Sequence, residues 1–237
     1  MRWEAGDLAV EVLFSQRGVA TQVLVRAGPS WFLLDAGDGA LRDLLSRGYD
    51  PRRLCGLFLT HGHADHMAGL YGILGFLRAE GRRGELLIGY PAGCREIRQA
   101  LQGFQACYGE GIPFAITELA LRDGDTVRLP EGLELLAKGV LHWDSIQGEP
   151  LSPAPALGYR LSFQGRSVAI TGDSAWCPAL EELLRGTDLA LIEASLDEDG
   201  REMERIHLTL SQARRLSQLA KAAFLIHRPD GRTLRID

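Results

Sequence analysis

This sequence predicts a layered α/β protein, and three observations carry that prediction. Short apolar runs bounded by Gly, Pro and Asp alternate with stretches of helical periodicity along all 237 residues. Pairs of those runs are separated by only a few turn residues, the mark of hairpins. Both halves of the chain pass from strands to helices, a weak sign of internal duplication, with no linker or low-complexity tract between them. Residues 1–237 are therefore expected to form a single domain, long enough for one well-packed core.

In chain order, residues 8–14 read as a strand, and 21–26 and 31–34 flank the turn Ala27-Gly28-Pro29-Ser30. The second of these strands runs into Asp35-Ala36-Gly37-Asp38-Gly39, after which Leu41, Leu44 and Leu45 recur at helical spacing up to Gly48. Residues 54–59 form a short apolar strand that stops at Thr60-His61. A helix is expected over 67–78 in spite of Gly69, Gly72 and Gly75; close packing of its backbone on a sheet would account for them. Residues 85–89 read as a strand and 92–107 as a helix behind Pro91. Strands follow at 112–118, 126–129 and 133–141, and the stretch 144–155, rich in Pro, Gly, Ser and acidic residues, reads as a surface loop. Residues 156–163 and 167–170 flank Gln164-Gly165-Arg166 as a hairpin, followed by a helix over 178–184 and a buried strand over 189–192. Thr209-Leu210-Ser211-Gln212 has the capping-box pattern ahead of a helix ending at Leu219, and 222–226 is a further buried strand.

Hydrophobic residues make up 46% and charged residues 24% of the chain, an ordinary globular balance. The formal net charge is -5, and the isoelectric point is near 5.7. A global basic field for holding nucleic acid is therefore absent. The local run Arg78-Ala79-Glu80-Gly81-Arg82-Arg83 reads as a solvated turn, and Arg214-Arg215 as a solvated helix face. Cys55, Cys94, Cys107 and Cys177 are scattered, with no CxxC pair, which excludes a disulfide framework or a zinc knuckle; Cys55 reads as a small buried hydrophobe. Charges and glycines break every apolar stretch before the roughly 18 residues a membrane helix needs. A cytoplasmic protein with no membrane partner is expected.

Four apolar strands end on a side chain suited to metal chemistry: His61, Asp173, Glu193 and His227. Strand ends favour such sites because the core fixes the backbone while the end stays accessible. The chain has six histidines, and three of them fall in His61-Gly62-His63-Ala64-Asp65-His66. Taken singly, His142, His207 and His227 read as hydrogen-bonded boundary residues. Three imidazoles and a carboxylate within six residues are costly to bring together without a counter-charge, which a divalent metal supplies. Small Gly62 and Ala64 let the chain turn tightly, so that His61 and His63 can reach one metal while Asp65 and His66 face a second. A loop between strand and helix suits this arrangement. HExxH, GxSxG and Walker motifs are absent, which excludes those metalloprotease, serine-hydrolase and nucleotide-binding mechanisms.

Thr60-His61-Gly62-His63-Ala64-Asp65-His66, together with Leu34-Asp35-Ala36-Gly37, Gly69-Leu70, His142, Gly172-Asp173-Ser174 and His227, resembles the metallo-β-lactamase superfamily of hydrolases across nearly the whole chain. The resemblance implies a four-layer αββα sandwich with two zinc ions. It implies His61, His63 and His142 on one metal, Asp65, His66 and His227 on the other, and Asp173 bridging. Asp35 would support the site from behind the ligands; a turn or helix-cap role is its alternative. Within the superfamily, Gly158-Tyr159-Arg160, Glu193-Ala194-Ser195 and His207-Leu208-Thr209 are most similar to ribonuclease Z and its phosphodiesterase relatives.

That resemblance implies hydrolysis by a two-metal-activated hydroxide. Asp65 or Asp173 would orient the nucleophile, and His207 would hold a phosphate oxygen or protonate the leaving group. The expected substrate is a phosphodiester, either a small molecule or a short nucleic-acid end. Lactone, thioester or other carbonyl-ester hydrolysis is the alternative. A non-catalytic metal-binding or structural protein would be expected to have lost a ligand, and none is missing. Mn2+ or iron suits the same donors, so Zn2+ follows from the resemblance. A homodimer is in keeping with this family. The tRNA-processing members carry a long arm between the Gly-Tyr-Arg and Gly-Asp segments, whereas residues 161–171 here suffice only for a hairpin, which argues against tRNA binding. Trp143 and Trp176 are candidate pocket walls or core aromatics.

Overall fold

The computed structural model describes residues 1–197 and 205–237. They divide into two compact units, one of residues 1–14 and 18–120, the other of residues 15–17 and 121–237.

The first unit is built on a seven-stranded sheet whose strands lie in chain order: β1 (Arg2–Ala5), β2 (Leu8–Gln16), β3 (Ala20–Ala27), β4 (Ser30–Ala36), β5 (Leu54–Phe58), β6 (Glu85–Pro91) and β7 (Ala115–Leu121). β3 and β4 form an antiparallel hairpin, and β4, β5 and β6 run parallel. Parallel neighbours need long crossovers. These are α1 (Ala40–Ser46) before β5, and α2 (Ala64–Met67) with α3 (Leu70–Ala79) before β6; α4 (Arg95–Tyr108) precedes β7. Leu44, Ile73, Leu101 and Phe104 from the helices join Leu33, Leu57 and Ile88 from the sheet in one core. The alternate residues Val23, Val25, Phe32 and Leu34 are also fully buried. Burial on both faces is why residues 31–34 and 54–59 are unbroken apolar runs and not alternating ones.

The second unit contains β8 (Thr126–Arg128), β9 (Glu134–Gly139), β10 (His142–Ile146), β11 (Glu149–Ala154), β12 (Leu157–Phe163), β13 (Arg166–Ile170), α5 (Pro178–Leu184), β14 (Leu189–Glu193), α6 (Leu210–Ser217), β15 (Ala223–Ile226) and β16 (Leu234–Ile236). Seven of these strands form a sheet in the order β16-β15-β14-β13-β12-β9-β8, while β10 and β11 pair separately. The plan of the first unit recurs: the antiparallel hairpin β12–β13 leads into parallel β14 and β15. The hairpin turns at Gln164 and Gly165, both at positive φ (48° and 75°), which suits a two-residue turn. Leu180, Leu183, Ala213 and Leu216 pack with Ala169, Ile192 and Leu225. Thr209 and Gln212 form the expected reciprocal capping box.

Several elements differ from expectation. The helix expected over 67–78 is α3, which begins later, at Leu70, and is preceded by the turn-long α2, in which Asp65 and His66 lie instead of in a loop. A Cβ on Gly69 would meet the carbonyls of Gly37 and Ala36, but Gly72 and Gly75 face open space, so sheet packing does not explain them. Residues 144–155 form a ribbon rather than a loop, because β10 and β11 pair around a register shift at Asp144/Ser145. Arg82 is buried, its guanidinium donating to the carbonyls of Leu54, Arg83 and Glu85, so this arginine is a structural tie. Cys55 is half-buried. No helix of the described residues is long and apolar enough to cross a membrane.

Two devices hold the second sheet. Gly158 lets β12 approach α5: a Cβ there would lie 2.5 Å from Leu183 and 2.9 Å from the Ile170 carbonyl oxygen. Its neighbours Tyr159, fully buried, and Arg160, donating to the Arg185 carbonyl at 2.9 Å, serve the same packing. Asp188, just before β14, accepts from the Ser167 backbone N–H at 2.8 Å and from Lys221 Nζ at 2.9 Å, tying together the starts of β13, β14 and β15. Burial works to raise the Asp188 carboxyl, but hydrogen bonds from Lys221, Ser167 and Arg166 outweigh it and leave it below the usual carboxylate range.

Gly158→Ala is expected to cost about 1–3 kcal/mol by overpacking, read as a lower urea midpoint; an unchanged midpoint would contradict this packing. Asp188→Ala is expected to cost about 1.5–3 kcal/mol at neutral pH. Since the folded carboxyl titrates below the unfolded one, the wild-type advantage is full above the unfolded value of 3.8 and shrinks as pH falls below it. Urea melts of both proteins across that range check the sign.

Candidate metal centre

In the first unit the site begins at the carboxyl end of β4. Asp35 is fully buried and sits at φ 56°, in the left-handed region. Its Oδ1 accepts from the Thr60 backbone N–H at 2.7 Å, and its Oδ2 accepts from Thr60 Oγ1 at 3.0 Å and from His66 Nδ1 at 2.8 Å. Thr60 and His61 come one residue after β5 ends at Phe58, so the carboxylate fastens the end of one parallel strand to the helix beyond the next. Thr60 Oγ1 also lies 3.0 Å from His61 Nδ1. The ring of His61 is 4.7 Å from that of His63 and 4.1 Å from that of His66, centroid to centroid. Asp65 Oδ2 accepts from the Gly18 backbone N–H at 2.9 Å and stands 3.9 Å from His66 Nε2. Close approach makes this loop possible: a Cβ on Gly37 would sit 2.3 Å from the Asp65 carbonyl oxygen.

In the second unit Asp173, His207 and His227 offer ligand atoms that all lie within 4.8 Å of one another. Asp173 follows β13, Glu193 ends β14, and His227 follows β15 at φ 57°. Glu193 Oε1 accepts from His207 Nδ1 at 3.1 Å and from the Ser174 N–H at 2.8 Å. Glu193 Oε2 accepts from the Ser195 N–H and hydroxyl. Ser195 Oγ lies 2.9 Å from His227 Nδ1, and Asp173 Oδ1 lies farther from that atom, at 3.4 Å. His142, at the start of β10, points Nδ1 at the Ile206 carbonyl, 3.3 Å away, and its ring is 5.6 Å from that of His207. Ser15 accepts from the His227 N–H at 2.8 Å, and Arg17 donates to the Ser195 carbonyl at 2.9 Å. Burial pushes the His207 imidazole down, but the Glu193 and Asp173 carboxylates outweigh it and hold it above the ordinary histidine value.

Every residue expected at the site is thus among the described residues, and all but His63 and Asp65 are buried. The donor chemistry fits divalent metal: His61, His66, His142, His207 and His227 each engage Nδ1, so Nε2 is the ring atom that would ligate. These His/Asp clusters are compatible with a dinuclear metal site of the kind used for hydrolysis, and the chemistry of their donors admits zinc, manganese or iron. Asp35 acts as the support expected of it, not as a turn or helix cap. The roles of Thr60, Ser195 and Glu193 go beyond what the motifs assigned: Thr60 stands beside His61 in the sequence, whereas Glu193 and Ser195 are signalled only by their place at and just after a strand end. Arg214 and Arg215 are exposed, as expected of a solvated helix face, and the Arg215 guanidinium lies 5.1 Å above the ring of half-buried Trp176. Asp35→Ala is expected to weaken metal binding about 10–100-fold. Chelator competition on the purified variant checks this, and an unchanged affinity would show that Asp35 serves the fold alone.

The family described as "Beta-lactamase superfamily domain" matches residues 30–227. A ribonuclease Z of Anoxybacillus flavithermus is 29% identical over 250 residues, covering 88% of this chain and 78% of the relative. Among solved structures, the metallo-β-lactamase fold protein YhfI from Bacillus subtilis superposes with a TM-score of 0.74 at 18% identity, over 92% of this chain and 85% of that one. Human tRNase Z, short form, gives a TM-score of 0.74 at 22% identity, over 96% and 92%. Two helix-covered mixed sheets, His/Asp clusters at their strand ends and a family match across both units lead to one statement: this chain belongs to the metallo-β-lactamase superfamily, with ribonuclease Z-like proteins among its relatives.

Proposed function

We propose that this chain is a dinuclear metal-dependent phosphodiesterase acting on a small-molecule or short nucleic-acid substrate. The proposal treats residues 1–237 as one hydrolase domain, since the family match runs from residue 30 to 227 through both units. Following the family resemblance, His61, His63 and His142 would hold one ion, Asp65, His66 and His227 the other, and Asp173 both. Two divalent ions, zinc by resemblance, would supply Lewis acidity and lower the pKa of water.

The observation that carries the phosphodiester reading is the Glu193–His207 pair beside Asp173. His207 is 10% exposed at its side chain, with Nδ1 given to Glu193 at 3.1 Å. Its other nitrogen can hold a proton for a phosphate oxygen or a leaving alkoxide. Asp65 and Asp173 are the carboxylates available to orient an attacking water. Similarity to a ribonuclease Z supports the same substrate class. The tight β12–β13 turn leaves no arm at the place where tRNA-processing relatives carry one, and the β10–β11 ribbon adds Asp144 and Glu149 where a nucleic-acid backbone would be repelled. The proposed substrate is therefore smaller than tRNA.

Zinc-loaded protein is expected to hydrolyse bis(4-nitrophenyl) phosphate faster than a lactone or thioester panel. Turnover of carbonyl esters with no phosphodiester cleavage would overturn the substrate class, and fewer than one bound transition metal per chain would overturn the dinuclear centre. His207→Ala is expected to keep its metal content while kcat on the phosphodiester falls about 100–10,000-fold. Loss of an ion in that variant would instead make His207 a ligand, as its grouping with Asp173 and His227 allows.

A further inference from the structure

The two units fix their histidines by the same chemical arrangement built from different residues. In each, one fully buried carboxylate serves one imidazole directly and a second through a hydroxyl. Asp35 takes His66 Nδ1 directly and the Thr60 hydroxyl, and that hydroxyl faces His61 Nδ1. Glu193 takes His207 Nδ1 directly and the Ser195 hydroxyl, and that hydroxyl faces His227 Nδ1.

A hydroxyl has a single proton. A carboxylate only accepts, so the Thr60 proton goes to Asp35 and the Ser195 proton to Glu193. Each hydroxyl oxygen can then only accept from the neighbouring ring, and that ring must carry its proton on Nδ1. All the atoms involved lie out of solvent, since Asp35, Thr60, His61, Glu193, Ser195 and His227 are each at most 1% exposed, so water does not compete for the rings; Asp173 Oδ1, farther from His227 Nδ1 at 3.4 Å than the Ser195 hydroxyl at 2.9 Å, can only accept and favours the same tautomer. We infer that Thr60 and Ser195 are positioning residues that set the Nδ1–H tautomer of His61 and His227 and so present Nε2 as the ligating atom. The consequence for metal binding rests on the proposed ligand set; the tautomer assignment does not.

The measurement is two-bond 15N–1H correlation of the histidine rings in metal-free protein at mildly alkaline pH, alongside zinc affinity by chelator competition. Wild type is expected to show Nδ1–H at both His61 and His227. Thr60→Val keeps the shape of the side chain and removes the hydroxyl; it should shift His61 towards the Nε2–H form and leave His227 unchanged. Ser195→Ala, which only removes an atom, should do the converse. Zinc affinity should fall about 10–100-fold in each, and Thr60→Ser should restore wild-type tautomer and affinity. A purely structural role would not move the ring tautomer. Unchanged Nδ1–H signals in Thr60→Val and Ser195→Ala would overturn the inference. Tautomers that follow the hydroxyls in a protein that binds no zinc would support it and refute the ligand assignment instead.

Discussion

The Asp35 carboxylate accepts a backbone N–H, a hydroxyl and an imidazole while holding its own backbone at positive φ. A non-glycine residue in that region costs on the order of 1 kcal/mol. Five described non-glycine residues adopt it: Glu131, Gln147 and Gln164 lie in turns or short connections, whereas Asp35 and His227 lie at the ends of parallel strands. The strain is retained where it aims a side chain. Asp35 also decides what may surround it. Gly37 must lack a Cβ so that α2 can come close enough for His66 to reach the carboxylate, and Gly69 donates to the Ala36 carbonyl at 2.8 Å.

The two sheets repeat a plan, a hairpin followed by two parallel strands, yet the polar devices are not positional copies. Asp35 and Asp173 occupy corresponding strand ends, the first within the last two residues of β4 and the second just after β13, but the first is buried behind the histidines and the second is grouped with them. The supporting carboxylate of the second unit comes instead from the end of β14. The shared solution reflects a shared physical demand. A neutral imidazole meant to ligate needs one nitrogen occupied, and a buried acceptor of fixed geometry is the most economical way to occupy it.

Much of the site was legible because its chemistry is concentrated at punctuation points. An apolar run that stops abruptly at His61, Asp173 or His227 marks a strand end, and three histidines in six residues mark a metal. The helix over Pro178–Leu184 and the Thr209 capping box were legible because they depend on neighbours a few residues away. The edge strands β1 and β16 were not, being short and largely exposed. The β10–β11 ribbon was hidden by its own composition, since acid, Pro and Gly usually signal loops; its pairing shows only in register, and Ile146 and Leu151 stay exposed on it. The hydroxyl at Ser195 was illegible for a different reason. Its partner His227 lies 32 residues away, and nothing local to Ser195 announces that distance.

Asp188 fastens the starts of β13, β14 and β15, while Asp173, Glu193 and His227 occupy their far ends. The frame and the chemistry of this sheet are therefore held by separate residues. Such separation makes the unit a forgiving substrate for evolution or engineering. Residues at the reactive ends can be exchanged, and specificity redirected, without spending the margin of stability that keeps the strands in register.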